Sequence, residues 1–382
     1  MVKSSTSTQL HAEIAGLGLA GLSAACALAK AGWTVRIHER SEEVRASGAG
    51  IYIAENGARV LDALGAADEA FGGAYRIYHR DNRDSANRRL ALDHYPTDRP
   101  FRSYFLRRET LVHALYNVAI RSGVEVCFGS RVVGCEPAGA LLLESGDRLP
   151  ADLVIGADGV HSAVRQAIGV PFTRRQLKQG AHRAVCRRPP DSHIMGPNTF
   201  VEWWSGPRRF FYAPISEELA YLVMIAQVRD ERGSRNPFDK EDWSRAFPFA
   251  GEIIANIEDS VPFMSFVEIR CKSWVKDRVA LIGDAAHAMS PNLGQGGGTG
   301  MMDGISLAHN VTASGLPTDA ALLRWQDRQR PIVDRAQFIS GLYSKFADWP
   351  ETPRRAALWF ASNSKWITRQ RLATANFLPD GV

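Results

Sequence analysis

Ala12-Glu13-Ile14-Ala15-Gly16-Leu17-Gly18-Leu19-Ala20-Gly21 is the stretch from which the chain is read. Ala12 to Ala15 is a short strand, with Glu13 unusual inside it, and Leu22 to Ala31 is an alanine-rich helix. Between them Gly16 allows a tight turn, Gly18 lets a phosphate approach the backbone, and Gly21 lets helix and strand pack closely. Leu19 and Ala20 fall where free N–H groups at the helix start face an anion. A second strand, Thr34 to His38, runs into Glu39 and Arg40. Glu39 lies about 20 residues beyond the glycines, where a ribose-binding carboxylate belongs.

A glycine turn with a surface acid could be a plain strand–turn–helix, but two further segments argue otherwise. Gly156-Ala157-Asp158-Gly159 follows the apolar strand Leu153 to Ile155. Gly283-Asp284 follows the buried-type strand Val279 to Ile282, and leads to Pro291 and Gly294-Gln295-Gly296-Gly297-Gly298. Three such segments, each after a strand, suggest a long dinucleotide gripped at several points. That points to FAD and to redox chemistry.

The chain has 382 residues, enough for two domains. No apolar run approaches the roughly 20 residues of a membrane-spanning helix. Residues 1 to 8 are polar and read as a flexible tail on a cytoplasmic protein without a membrane partner. The cysteines (Cys26, Cys127, Cys135, Cys186 and Cys271) show no metal-ligand spacing and read as reduced, structural thiols. The net charge of +5 is spread along the chain, which favours small anionic ligands over nucleic acid.

The fold class expected is α/β: a discontinuous Rossmann-like FAD-binding domain with an inserted β-rich substrate domain and a helical C-terminal end. Residues 9–72, 103–169 and 271–382 are assigned to the first, and 73–102 and 170–270 to the second. Helices are expected over Asn56 to Leu64, ended by Gly65, and over Arg108 to Ser122. Aromatic-rich runs at Thr199 to Trp204, Arg209 to Ala213, Ala220 to Gln227 and Val261 to Arg270 suggest an antiparallel sheet. A pocket between the two domains is the natural place for a substrate.

In this order, the glycine fingerprint with Glu39, the Gly156 to Arg165 segment and the Gly283 to Asp303 segment resemble the class A flavoprotein monooxygenases, the single-component aromatic hydroxylases. The likeness covers nearly the whole chain. It implies that Gly16, Gly18 and Gly21 meet the pyrophosphate and that Glu39 takes the adenosine ribose. Arg108 would reach the FAD, Val132 would supply the backbone contact to adenine, and Asp158 would serve both FAD and NAD(P)H. Asp284 would bond the ribityl hydroxyls, Pro291 would lie beside the flavin ring, and Gly296, Gly297 and Gly298 would aim N–H groups at the pyrimidine edge. Gly298 stands where the family often has Asn and Gly300 where it often has Ala, which suggests a more flexible loop. His287 reads as a packed or hydrogen-bonded helix residue rather than a catalyst.

Gly48-Ala49-Gly50-Ile51-Tyr52, Arg209 to Pro214, Glu218 to Tyr221 and Gly283 to Met289 resemble the hydroxypyridine branch of that family. The likeness implies that Arg209 and Tyr221 face the substrate, with Tyr52 and either Tyr75 or Tyr78 nearby. Arg209 could clasp a substrate carboxylate in a bidentate fork. The implied reaction consumes NADH or NADPH and O2, and hydroxylates a hydroxypyridine carboxylate-type ring through a flavin C4a-hydroperoxide. A hydroxybenzoate hydroxylase, a non-hydroxylating flavin reductase and a redox-sensing flavoprotein on the same scaffold are the alternatives. The expected assembly is a monomer or homodimer.

Overall fold

The computed structural model describes residues 9–45, 49–96, 101–188, 196–258 and 261–382. The N-terminal tail and Gly48 lie outside them. A six-stranded sheet runs in the order Val275–Lys276, Val279–Leu281, Leu153–Gly156, His11–Ala15, Thr34–His38, Glu125–Cys127. Its neighbours are parallel except for the outermost pair, Val275–Lys276 with Val279–Leu281. Ile14, Ile37, Val154, Ile155 and Ala280 are wholly buried, as a sheet covered on both faces requires. His11–Ala15 sits between Thr34–His38 and Leu153–Gly156, so the strand order reverses there and a crevice opens at the strand ends.

Glu13 explains itself in three dimensions. It is 1% exposed, with its carboxylate 2.7 Å from His38 Nε2, 2.8 Å from His11 Nε2 and 3.3 Å from Arg36. Burial alone would raise its pKa, but the two histidines and Arg36 outweigh that and hold it below the ordinary value.

The helix Leu19–Lys30 lies against Gly296–Ala313, backbone to backbone. A methyl on Gly304 would sit 2.5 Å from Ala24 N, and one on Gly300 would sit 3.3 Å from Ala20 Cβ. Gly298 and Gly300 therefore belong to a tightly packed helix rather than to a flexible loop, which corrects that part of the expectation. Asn56 fills the space beside Gly298, donating to Gln295 Oε1 at 3.0 Å.

The second sheet has seven strands, ordered Met264–Cys271, Phe172–Arg187, Leu219–Gln227, Arg208–Pro214, Thr199–Ser205, His79–Asp84, Arg89–His94. Phe172–Arg187 is not legible as a strand from its pattern. Its first half, Phe172 to Gln176, is polar, largely exposed and paired only with Met264–Cys271. Alternation gives the sheet two faces. Trp203, Phe210, Tyr212, Leu222 and Met224 pack under the short helices Lys240–Ala246 and Gly251–Ala255, burying Trp243, Ile253 and Ile254. The other face looks toward the glycine segments. Three helices, Thr318–Phe346, Glu351–Asn363 and Lys365–Arg371, complete the C-terminal end. The α/β class, the parallel sheet and the helical end are as expected. Among the described residues no helix is long and apolar enough to cross a membrane.

Candidate active site and dinucleotide cavity

A cavity of about 890 Å3 lies between the glycine segments and the open face of the seven-stranded sheet. The first two segments interlock. Gly16 adopts φ +100°, donates to His38 O at 2.8 Å, and has no room for a side chain, which would meet Ala157 O at 2.5 Å. Gly21 would clash with Gly16 O at 2.2 Å. Gly18 is different: nothing lies within 4 Å of a Cβ placed there. It is the N-cap of Leu19–Lys30, and that helix start has neither a capping side chain nor an acidic residue in its first turn. Its N–H groups and the positive end of the helix face the cavity through Gly18, Leu19 and Ala20.

The third segment repeats the device. Gln295 caps Gly296–Ala313 without a side-chain hydrogen bond, again with no acid in the first turn. Gly296 and Gly297 line the cavity beside Pro291, while Gly298 is set back against Asn56. Asp284 is exposed to the cavity, at the turn where Gly283 takes φ +57°. That turn is held from below. Asp303, wholly buried, accepts from Gly283 N at 2.9 Å, from His287 Nε2 at 2.5 Å and from Gln329 Nε2 at 2.9 Å. Burial pulls the His287 imidazole down, but the Asp303 charge and hydrogen bond carry it above its ordinary value. His287 is thus a hydrogen-bonded strut. Arg165, 1% exposed, ties the second segment to the third by donating to Val160 O and to Ala285 O, both at 2.8 Å.

The adenosine-side candidates stand apart from this cavity. Glu39 accepts from Leu17 N at 3.1 Å and Ser41 N at 3.0 Å, so its carboxylate is fastened to the glycine turn. Arg40 is exposed and Val132 half-buried. Asp158 accepts from Ala163 N at 2.7 Å and Val164 N at 3.2 Å; burial still raises its carboxyl pKa. Arg108 lines the cavity, and its Nε has no hydrogen-bond partner.

The opposite wall follows from register. Arg209 pairs with Ile225, Phe211 with Val223 and Ala213 with Tyr221. On the next strand Ala181 faces Ile225 and Arg183 faces Val223. These alternate residues share one side and, Ala213 apart, form the cavity wall, joined by Phe105 and Phe200. Phe105, Phe200 and Phe211 make mutual ring contacts at 5.1 to 5.5 Å. Tyr221 is nine-tenths buried beneath Gly50, where a Cβ would lie 2.5 Å from the ring. Burial raises the Tyr221 pKa, opposed by the charge and hydrogen bond of Arg183. Tyr52 lines the cavity; burial, then Tyr95, pushes its hydroxyl well above the ordinary value.

Arg209 lines the same wall, yet its guanidinium is already engaged. It donates to Glu202 Oε1 at 3.0 Å and Asn292 Oδ1 at 2.6 Å, and lies over Trp204. Glu202 also pairs with Arg80. A substrate carboxylate would have to compete with Glu202 for the Arg209 fork. Neither Tyr75 nor Tyr78 lines the cavity; Tyr95 does. Arg183, Phe105, Phe200 and Phe211 were missed, although the period-two alternation from Arg209 contained the signal for Phe211.

The cavity's donors suit an FAD: two uncapped helix N-termini and an exposed carboxylate converge on one elongated space. The comparisons with known proteins agree. The chain matches the FAD binding domain family (FAD_binding_3) over residues 9–336. It is 37% identical over 358 residues to a 2-heptyl-3-hydroxy-4(1H)-quinolone synthase of Mycobacteroides abscessus, covering 93% of this chain and 95% of that protein. It is 27% identical to the 6-hydroxynicotinate 3-monooxygenase of Bordetella bronchiseptica, over 86% of this chain and 89% of the relative. The solved 2-methyl-3-hydroxypyridine-5-carboxylic acid oxygenase superposes with a TM-score of 0.86 at 36% identity, covering 97% of each chain. Fold, cavity and kinship together make this chain a member of the FAD binding domain family and, within it, an FAD-dependent aromatic monooxygenase.

Proposed function

We propose that the chain hydroxylates an electron-rich N-heteroaromatic ring of the 4-quinolone type, with NADH or NADPH as electron donor. The observation that carries this reading is the aromatic and aliphatic wall of Phe105, Phe200, Phe211, Val223 and Ile225, facing the glycine segments across one cavity. Such a wall suits a flat ring with an apolar tail, as in the product for which the Mycobacteroides relative is named. FAD, when bound, would supply the reduction of O2 and the transfer of one oxygen atom to the ring.

The chain's own groups would hold and orient. The N–H groups at Leu19–Ala20 would meet the pyrophosphate, and Glu39 with Val132 the adenosine end, beside Arg40. Asp284 would bond the ribityl chain, while Gly296 and Gly297 would favour negative charge at the pyrimidine edge. Tyr221, its pKa raised by burial, keeps its proton and can donate a hydrogen bond to a ring oxygen. Arg183, beside Tyr221 on the cavity wall, would favour the anionic form of the ring oxygen, the form that makes the ring electron-rich. The phenylalanine wall would keep water away from the reacting carbon. Residues 9–72, 103–169 and 271–382 would form the cofactor domain, and 73–102 with 170–270 the substrate domain.

A hydroxypyridine carboxylate is the second reading, favoured by Arg183, a cation on the cavity wall that lies over Phe266. The test is nicotinamide oxidation, O2 uptake and product mass with 2-heptyl-4(1H)-quinolone, 6-hydroxynicotinate and 4-hydroxybenzoate. Turnover of the quinolone with a mass gain of one oxygen supports the first reading; turnover of the acids alone replaces it with the second. Nicotinamide oxidation without any hydroxylated product would leave a flavin reductase. Tyr221→Phe is expected to lower kcat about a hundredfold with flavin content unchanged; an unaltered kcat removes Tyr221 from the chemistry. Asp284→Ala is expected to weaken FAD binding by about tenfold to a hundredfold, the worth of a hydrogen bond to a charged group. Flavin titration into the apoprotein reads this directly.

A further inference from the structure

Four large aromatic side chains near the C-terminus face solvent: Trp366 is 69% exposed, Phe360 61%, Trp359 60% and Trp349 43%. So much aromatic surface in one short region marks an interaction face. The inner side of the helix Glu351–Asn363 buries Arg354 and Leu358. Leu358 packs with Leu90 and Trp204, and buried Arg354 donates to Gly206 O and lies over Trp204. Its outer side, at helical spacing, carries Arg355, Ala356, Trp359, Phe360 and Asn363. The next helix, Lys365–Arg371, turns Arg371 inward to Asp93 at 2.6 Å and Lys365, Trp366 and Arg369 outward. Both helices thus cover the same sheet flank and show rings and cations on their far sides.

Charge chooses the occupant. Over residues 351–371 the exposed charges are Arg355, Lys365 and Arg369 against Glu351. A two-fold contact with a second copy would set this excess of cations against itself. An anionic surface is complementary, and tryptophan and phenylalanine flanked by lysine and arginine are the composition that settles into a lipid headgroup layer. No described helix can span a bilayer, so the contact is with its surface. The inner side of the same region, Arg371, Leu372 and Ala375, lines the active-site cavity.

We propose that the outer faces of Glu351–Asn363 and Lys365–Arg371 dock the enzyme on an anionic phospholipid bilayer, with the cavity wall directly behind the contact. The absence of a spanning run, from which no membrane partner was expected, does not bear on a surface contact of this kind.

The experiment is co-sedimentation of the flavin-loaded enzyme with vesicles of phosphatidylcholine, alone or mixed equally with phosphatidylglycerol. Binding and a blue-shifted tryptophan emission are expected only with phosphatidylglycerol, weakening as salt rises from about 0.1 to about 0.5 M. The triple variant Arg355→Glu, Lys365→Glu, Arg369→Glu is expected to lose about a hundredfold in vesicle affinity or more. Trp359→Ser with Trp366→Ser should abolish the blue shift. Flavin content and activity toward a soluble substrate serve as the folding control, and a second charge-neutral triple (Gln at the same positions) replaces any variant that fails it. No binding to the phosphatidylglycerol vesicles, or binding untouched by these variants, overturns the proposal. So does a concentration-dependent dimer, seen by sedimentation, that the tryptophan variants dissolve, since that gives the face to a second copy.

Discussion

Gly18→Asp is expected to yield a folded protein that holds no flavin. The backbone there, φ −81° and ψ 177°, is open to any residue, and no atom lies within 4 Å of the new Cβ. Aspartate is a favoured N-cap, so the helix Leu19–Lys30 should gain about a few tenths of a kcal/mol over glycine. The same carboxylate would stand where a pyrophosphate approaches. At about 4 Å and an effective dielectric constant of about 20, like unit charges cost about 4 kcal/mol. That is about a thousandfold in Kd. Gly21→Ala is the contrasting control, because its methyl would lie 2.2 Å from Gly16 O and should damage the fold itself. The measurement is the ratio of flavin to protein absorbance beside the thermal midpoint of the apoprotein. A yellow, active Gly18→Asp enzyme would refute the placement of the pyrophosphate.

Glu202→Gln is expected to cost about 3–5 kcal/mol of stability, the penalty for stranding buried charge. Glu202 is 4% exposed and shared by Arg80 and Arg209, which are themselves 6% and 1% exposed. Burial would raise the Glu202 pKa, but the two guanidiniums overcome it and hold the carboxyl below its ordinary value. A depressed folded pKa contributes stability above the unfolded value, lost as pH falls through the folded one. The wild-type enzyme should therefore lose this contribution in acid, and the Gln variant should show a flatter acid limb. Urea midpoints of the flavin-free proteins across pH read both effects. Equal stability at neutral pH would mean that water, rather than Glu202, neutralises the arginines.

Much of the part built around the parallel sheet was readable in advance. Thr34–His38 matched to the residue, and the helices at Glu55–Leu64 and Arg108–Arg121 differed from expectation by one residue at one end each. The seven-stranded sheet was harder. Phe172–Arg187 was overlooked because its exposed, polar first half carries no apolar alternation. Arg209 lines the cavity, but its partners could not be foreseen. Glu202 reaches it across a hairpin, and Asn292 comes from a turn 83 residues along the chain. Arg183 went unnoticed in a strand full of arginines, where nothing local says which one turns inward.

The difference has a physical cause. A phosphate that touches backbone demands glycine at set spacing beside a helix start, and that requirement is written in neighbouring residues. Cofactor class and fold are therefore legible in those residues alone. Whether an arginine is spent on a glutamate, whether a tyrosine meets the ring, and whether a tryptophan faces core or solvent depend on register and helix packing between distant segments. Those matters belong to the folded chain, because burial and pairing arise only where strands and helices far apart in sequence come together.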